Sequence, residues 1–238
     1  MYSFSSTVRY SECDARSNLT IPALINYLQD CSTFHTESIG HGVAYLAQNH
    51  FAWFITAWQI KIDRMPRYCE PIVVSTWCHD MRATNVHRNF DVRTPEGDLL
   101  VRADSLWVAY DTVHMRPIRV PAGEEVYLTD DAPVDLPPLK RKIRLVGEGE
   151  PHPPVTVAEY HLDTNHHVNN GQYVAMADHV VRSVDEGFEL GLLEVQYKRA
   201  AQLGDVVVPH LYVEEDGYAV DLAATEGDSF AIVRLHHR

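Results

Sequence analysis

Cysteine is scarce in this sequence and never forms a motif. Cys13, Cys31, Cys69 and Cys78 lie in the first third, widely spaced and without a CxxC pair. That argues against a secreted disulfide scaffold. The remaining two thirds hold no thiol, so no cysteine nucleophile can come from them. Long apolar runs are missing too; none approaches the roughly 20 residues that span a bilayer. Met1-Tyr2-Ser3-Phe4 is not a basic start followed by an apolar core. No signal peptide is therefore expected, and a cytoplasmic protein is the default. Positive charge is in deficit: 20 Lys+Arg stand against 33 Asp+Glu, a formal net charge of −13. Nucleic acid is not an expected partner, because neutralising phosphates needs a basic face. Histidine is plentiful, but no HExxH accompanies the adjacent pairs His166-His167 and His236-His237. No metal or other cofactor is expected.

What is present is enough to build a core. Hydrophobic residues make up 45% of 238 positions, which suits one large domain or two small ones. The charge is uneven. Residues 1–125 carry 11 basic and 14 acidic side chains, whereas 126–238 carry 9 and 19. Four of those nine cluster as Lys140, Arg141, Lys142 and Arg144.

The pattern of elements occurs twice. In the first half an alternating segment, Phe4 to Tyr10, reads as a strand. Thr20 then reads as a helix N-cap, with Pro22 in the first turn. Leu24, Ile25, Leu28, Cys31 and Phe34 follow at helical spacing, and Gly40 offers a stop. A short helix over Val43 to Gln48 precedes strands at Phe51 to Ile62, Ile72 to Cys78, Val86 to Arg93 and Leu99 to Tyr110. The second half repeats this order. Val155 to His161 reads as a strand, and Gly171 to Val184 as a helix with Val174, Ala177, Val180, Val181 and Val184 on one stripe. Strands follow near Leu190 to Lys198, Val206 to Val213, Tyr218 to Ala224 and Phe230 to His236.

Residues repeat as well as elements. Tyr10-Ser11-Glu12-Cys13-Asp14 resembles Tyr160-His161-Leu162-Asp163, and each aspartate stands five residues before an apolar residue, Leu19 or Val168. Ile60-x-Ile62-x-Arg64 matches Val195-x-Tyr197-x-Arg199, and Glu70 matches Asp205. A period above 100 residues means domain duplication rather than a solenoid. The expected division is a unit over 1–125, a proline-rich linker over 126–154 and a second unit over 155–238. Each unit, a long helix with an antiparallel sheet, makes the fold α+β. Two such sheets can join edge to edge, which removes exposed edges.

The densest polar stretch is His161-Leu162-Asp163-Thr164-Asn165-His166-His167-Val168-Asn169-Asn170. It ends at a helix N-terminus, where backbone N–H groups favour developing negative charge. Read without context, Asp163 is as well suited to capping a turn as to chemistry. Asn169 or Asn170 suits the helix N-cap, and His166 reads as an exposed, idle side chain.

Here the sequence resembles a known family. Asp163-x-Asn165-x-His167-Val168-Asn169-Asn170 followed by Tyr173 resembles the hot-dog thioesterase signature. The whole plan is similar to the double hot-dog acyl-carrier-protein thioesterases, bacterial relatives of the plant plastid enzymes. In the first half, Asn26-Tyr27-Leu28-Gln29-Asp30-Cys31-Ser32 and Arg64-Met65-Pro66 carry the same resemblance. It implies two tandem hot-dog units, the first lining the acyl pocket and the second catalytic. It implies hydrolysis of fatty acyl-carrier-protein thioesters, with Asp163, Asn165 and His167 as the catalytic polar residues and no cofactor. One departure stands out. The family often places a glutamate two residues after the Tyr-(Lys/Arg) pair, sometimes followed by a cysteine. Here Tyr197-Lys198-Arg199 leads into Ala200 and Ala201, so that carboxylate and that thiol are absent. Gln196 and Gln202 are candidate substitutes. In the first half Asn18 stands where His167 does, so no second site is expected there.

These residue types suit the reaction. A thiolate leaves readily, so the work lies in making a nucleophile and holding the tetrahedral oxyanion. Asp163 can activate water or attack directly, and His167 can act as base with Asp163 fixing its tautomer. A positioned base contributes roughly 10²–10⁴-fold in rate. The backbone N–H groups of Val168, Asn169 and Asn170 are the expected substrate-binding, oxyanion-donating positions. Asn165 can place the thioester carbonyl or the water. The partner so implied, acyl carrier protein, is acidic, which makes the Lys140 to Arg144 run a docking candidate, with Arg64, Arg67 and Arg199 as rivals. An acyl-CoA thioesterase, a hot-dog dehydratase and a non-enzymatic acyl-thioester binding module remain alternatives, as do monomer and homodimer.

Overall fold

Thr20 opens the first helix. Its hydroxyl accepts the Ala23 N–H at 3.4 Å, Pro22 occupies the first turn, and α1 runs over Ile21–Ser38. The computed structural model describes residues 1–238 and divides them into two units, Met1–Leu139 and Lys140–Arg238.

Unit 1 contains β1 (Tyr2–Thr7), α1, α2 (Val43–Gln48), β2 (Phe51–Ile62), β3 (Pro71–Met81), β4 (Val86–Arg93), β5 (Leu99–Asp111) and β6 (Arg116–Ile118). Its strands lie in the order β1-β3-β4-β5-β2, all neighbours antiparallel, with β6 on β5. Unit 2 contains β7 (Glu150–Pro151), β8 (Val155–Thr156), α3 (Asn170–Val184), β9 (Leu190–Tyr197), β10 (Val206–Glu214), β11 (Gly217–Ala224) and β12 (Ser229–His237). Its order is β9-β12-β11-β10-β7, again antiparallel, with β8 on β10. Each unit thus sets one long helix against an antiparallel sheet, the α+β plan expected from the repeat. Leu24, Ile25, Leu28 and Cys31 of α1 are fully buried. Each aliphatic side chain so buried contributes about 1.5–3 kcal/mol.

Four expectations change. The first strand ends at Thr7, and Tyr10 opens a 3-10 turn instead of continuing it. Phe34 is 44% exposed, and His35 takes the buried place beside it. Positions 24, 28, 31 and 35 form one helical stripe, and 34 falls off its edge. Val184, at the last turn of α3, is likewise 51% exposed. Val155 to His161 is not one strand: β8 covers two residues, and a tight 3-10 turn, Glu159–His161, follows.

The first unit also extends past residue 125. A 3-10 turn at Glu124–Tyr127 is buried at Glu124 and Tyr127. Beyond it the Ala132 carbonyl accepts the Trp77 indole N–H at 3.0 Å, and the Asn89 side-chain oxygen accepts the Val134 N–H at 2.9 Å. Trp77 and Asn89 are buried polar groups on the sheet, and this segment supplies the partners they need.

Candidate active site

The polar segment folds as a closed loop between the 3-10 turn and α3. The Asp163 N–H donates to the His167 carbonyl at 2.8 Å, and the His166 N–H donates to the Asp163 carbonyl at 3.0 Å. The carboxylate ties the loop from inside: its Oδ1 accepts the N–H groups of Asn165 (2.8 Å) and His167 (3.3 Å). His166 sits at the crest with φ +60° and is exposed. Asn165 is exposed, while Asp163 and His167 are half-buried.

The loop is anchored at both ends. The Val168 N–H donates to the Ala201 carbonyl at 3.0 Å, and the Asn169 N–H to the His161 carbonyl at 2.9 Å. His161 is buried, and its Nδ1 accepts the Ala158 N–H at 3.0 Å, which leaves the ring proton on Nε2. Burial lowers the pKa of this imidazole. Asn169 is the N-cap of α3, its Oδ1 accepting the Gly171 N–H at 2.8 Å. These bonds change one expectation. The Val168 and Asn169 amides are spent on loop closure, so in this geometry neither is an oxyanion donor.

Two tyrosines hold the helix start against the sheet. Tyr173 Oη accepts the Ala201 N–H at 2.8 Å, and Tyr197 Oη donates to the Asn170 carbonyl at 3.1 Å. Burial pushes the Tyr173 phenol up to about 12 and raises that of Tyr197 well above its ordinary value, so both are neutral bonding groups. In the sequence Tyr197 and Ala201 draw notice only beside the missing glutamate and cysteine; their bonding roles, through the Asn170 carbonyl and the Ala201 amide, show only in the structure.

The same loop exists in unit 1. Asp14 Oδ1 accepts the N–H groups of Arg16 (2.8 Å) and Asn18 (2.9 Å), and Ser17 takes φ +63° at the crest. Leu19 N–H donates to Pro66 O at 2.8 Å and Thr20 N–H to Glu12 O at 2.9 Å, matching the Val168 and Asn169 anchors. The shared bonds are loop architecture. What unit 2 adds is Asn165 and His167 in place of Arg16 and Asn18, and Tyr173 in place of Leu24. No hydrogen bond joins the side chains of Asp163, Asn165 and His167; the loop brings their backbones together and leaves Asp163 Oδ2 unbonded. No group of three or more His, Cys, Asp or Glu residues is arranged to hold a metal ion, and no helix is long and apolar enough to cross a membrane.

Comparison with known proteins gives the family. Residues 1–127 match the acyl-ACP thioesterase N-terminal domain, and residues 150–235 match the acyl-ACP thioesterase C-terminal domain. The chain belongs to the acyl-ACP thioesterase family. It is 26% identical over 213 residues to a chloroplastic palmitoyl-acyl carrier protein thioesterase of Gossypium hirsutum, covering 84% of this chain and 52% of that protein. The chain therefore spans about half the length of the curated relatives it matches. Its fold is similar to an acyl-ACP thioesterase from Bacteroides thetaiotaomicron, with TM-score 0.89, 21% identity and coverage of 99% and 97%. It is equally similar in identity (21%) to a 12:0-ACP thioesterase from Umbellularia californica, with TM-score 0.84 and coverage of 100% and 96%.

Against the family pattern, the Ala200 departure narrows. Ala200 is exposed, and Gln196 is occupied elsewhere: its Oε1 accepts the Ile143 N–H at 3.0 Å. Gln202 is exposed next to the Ala201 anchor.

Proposed function

We propose that this acyl-ACP thioesterase family member hydrolyses fatty acyl-acyl-carrier-protein thioesters to free fatty acid and holo carrier protein. In this reading unit 1 receives the acyl chain and unit 2 carries out the hydrolysis. The nucleophile is water activated by Asp163 and His167, with Asn165 placing the carbonyl or the water. The observation that supports it is the difference between two otherwise matching loops: the pair Asn165 and His167 is added only in unit 2. Asp163 Oδ2 is the carboxylate oxygen not used to hold the loop, which makes it the atom suited to take a proton. The acidic carrier protein docks on the exposed Lys140, Arg141, Lys142 and Arg144. The Gln196–Ile143 bond and the bond from Arg234 Nη2 to the Arg144 carbonyl (2.9 Å) fix that run.

The deciding experiment is free-thiol release from lauroyl- or palmitoyl-carrier protein, beside the matching acyl-CoA, for wild type and Asp163→Asn. Release from the carrier protein that drops at least about a hundredfold in the variant supports the reading. Preference for acyl-CoA would shift the carrier. Tight acyl-thioester binding with no release from either carrier would convert the protein into a binding module.

A further inference from the structure

The face of the unit 1 sheet turned toward α1 is mostly apolar, with the hydroxyls of Thr76 and Ser105 and one charged side chain, Arg88. Strand register places Cys78, Arg88, Ser105 and Trp58 in one row across β3, β4, β5 and β2. Above and below Arg88 on β4 stand Phe90 and Val86, both buried. Arg88 itself is only 6% exposed. Its two hydrogen bonds run through Nη1, to His35 Nδ1 at 3.0 Å and Thr76 Oγ1 at 3.4 Å. Because His35 accepts at Nδ1, its proton sits on Nε2 and the ring is neutral. The guanidinium also lies 5.0 Å over the Tyr127 ring. No carboxylate bonds this cation.

Two further donors, one on the ring beneath the guanidinium and one in its row, lack acceptors. The Tyr127 hydroxyl and the Trp58 indole N–H are buried and have no partner. Glu124, whose charge also acts on Tyr127, is already taken: His41 and Tyr45 bond its Oε1 at 3.1 Å each, and Trp53 bonds its Oε2 at 3.3 Å. A buried cation without a counter-charge costs several kcal/mol, and an aliphatic side chain in its place is often more stable. A layer built only for packing has no use for Arg88. A layer with a guanidinium fork, a phenol and an indole N–H, and too few acceptors, is suited to receiving an oxyanion. The fork matches a carboxylate in two-point geometry, and the surrounding side chains match an aliphatic stem.

We propose that the interior of unit 1 is a binding site for an aliphatic carboxylate, held by Arg88 with the Tyr127 hydroxyl as second donor. The proposal rests on the hydrolase reading for the source of that ligand. The source is either the free fatty acid product or the far-end carboxylate of an acyl chain derived from a dicarboxylic acid.

Tryptophan fluorescence reads the site directly, since Trp58 shares the Arg88 row. Laurate and dodecanedioate are titrated into wild type, Arg88→Met and Tyr127→Phe, with thermal melts alongside. Wild type is expected to bind saturably and to melt higher with ligand. Arg88→Met should bind at least about tenfold more weakly, the scale of a hydrogen bond to a charged group, and without ligand should melt no lower than wild type. Tyr127→Phe keeps the ring and should weaken binding severalfold. Turnover separates the two sources. If laurate inhibits lauroyl-carrier-protein hydrolysis in wild type but not in Arg88→Met, the free acid is the ligand. If Arg88→Met raises KM for a dodecanedioic half-thioester and not for the lauroyl thioester, the substrate's own far-end carboxylate is the ligand. Absence of saturable binding in wild type, or equal binding in all three proteins, overturns the proposal. Binding that persists without any thioester turnover would remove the hydrolase reading and leave this site standing; turnover without binding would do the reverse.

Discussion

Asp14 and Asp163 hold the same loop in the two units, each through one carboxylate oxygen that accepts the N–H groups two and four residues on. The turn-holding role of an aspartate is therefore present in both units, and the proposed chemical role belongs to Asp163 alone. That pairing is an internal control for any substitution at Asp163.

Asparagine retains an acceptor oxygen, so Asp163→Asn and Asp14→Asn should both keep their loops. Turnover should fall about a hundredfold or more in the first and stay near wild type in the second. Alanine removes the acceptor in either unit. Asp163→Ala and Asp14→Ala should each lower stability by about 1–3 kcal/mol, the scale of losing bonds to a charged group. Thermal melts and thiol release on the four variants check this, and wild-type turnover in Asp163→Asn would end the catalytic assignment.

A second matched pair lies beside the first. In unit 2 the Ala201 N–H donates to Tyr173 Oη. In unit 1 the corresponding residues are Pro66, which has no N–H, and Leu24, which has no hydroxyl. Each unit satisfies the position in its own way. Tyr173→Phe should cost about 1–3 kcal/mol, because it leaves a buried amide without an acceptor. Tyr173→Leu combined with Ala201→Pro imports the unit 1 solution and should cost less than the sum of the two single changes. A double-mutant cycle by chemical denaturation reads the coupling, and strict additivity would contradict it.

The repeat explains why so much was legible in the sequence. Helix caps, strand spans and turns are local, and β2 and β4 fall on the residues their alternation and β-branched content mark, Phe51–Ile62 and Val86–Arg93. The polar loop was legible because seven amides, carboxylates and imidazoles are crowded into ten residues. The errors have a common cause. Phe34 and His35 are adjacent, and hydropathy favours burying the phenylalanine. The 24–28–31–35 stripe and the partner Arg88 bury the histidine instead. The Val168 and Asn169 amides looked available because a sequence does not reveal that Ala201 and His161 carbonyls claim them. Arg88 was invisible for the same reason, as only strand register sets it in the core row.

His35 should make stability depend on pH. Burial, and then the nearby Arg88 charge, lower its pKa from 6.5 to about 4. Between those values the unfolded chain binds a proton that the native state does not, so stability falls as pH drops through that window. His35→Gln supplies an oxygen for Arg88 and does not titrate. Wild type should lose up to about 3 kcal/mol more than this variant on acidification. His87 has the opposite sign, because its hydrogen bond to Asp104 raises its pKa. Its contribution is present at low pH and is lost as pH rises through the folded value. Melts of wild type, His35→Gln and His87→Gln across this range separate the two. Parallel curves for wild type and His35→Gln would show that His35 is not held neutral.

The basic run tests the carrier. Lys140, Arg141 and Arg144 are exposed, while the backbone between them is fixed through buried Ile143 and the Arg144 carbonyl. Charge reversal there should leave the fold intact, since none of the three side chains makes an internal hydrogen bond. An acidic carrier protein is steered by a local field even when net charge is unfavourable, so KM for acyl-carrier protein should rise by about tenfold at low salt. The effect should shrink as ionic strength approaches 0.1 M, where the screening length is about 10 Å. Acyl-CoA needs no protein docking face, and its KM should hardly move. Equal KM changes for both substrates would relocate docking to Arg64, Arg67 or Arg199. Of these, Arg64 is paired to Glu70 and Arg199 stacks 4.6 Å over Phe230, which leaves Arg67 the side chain most at liberty to meet a partner.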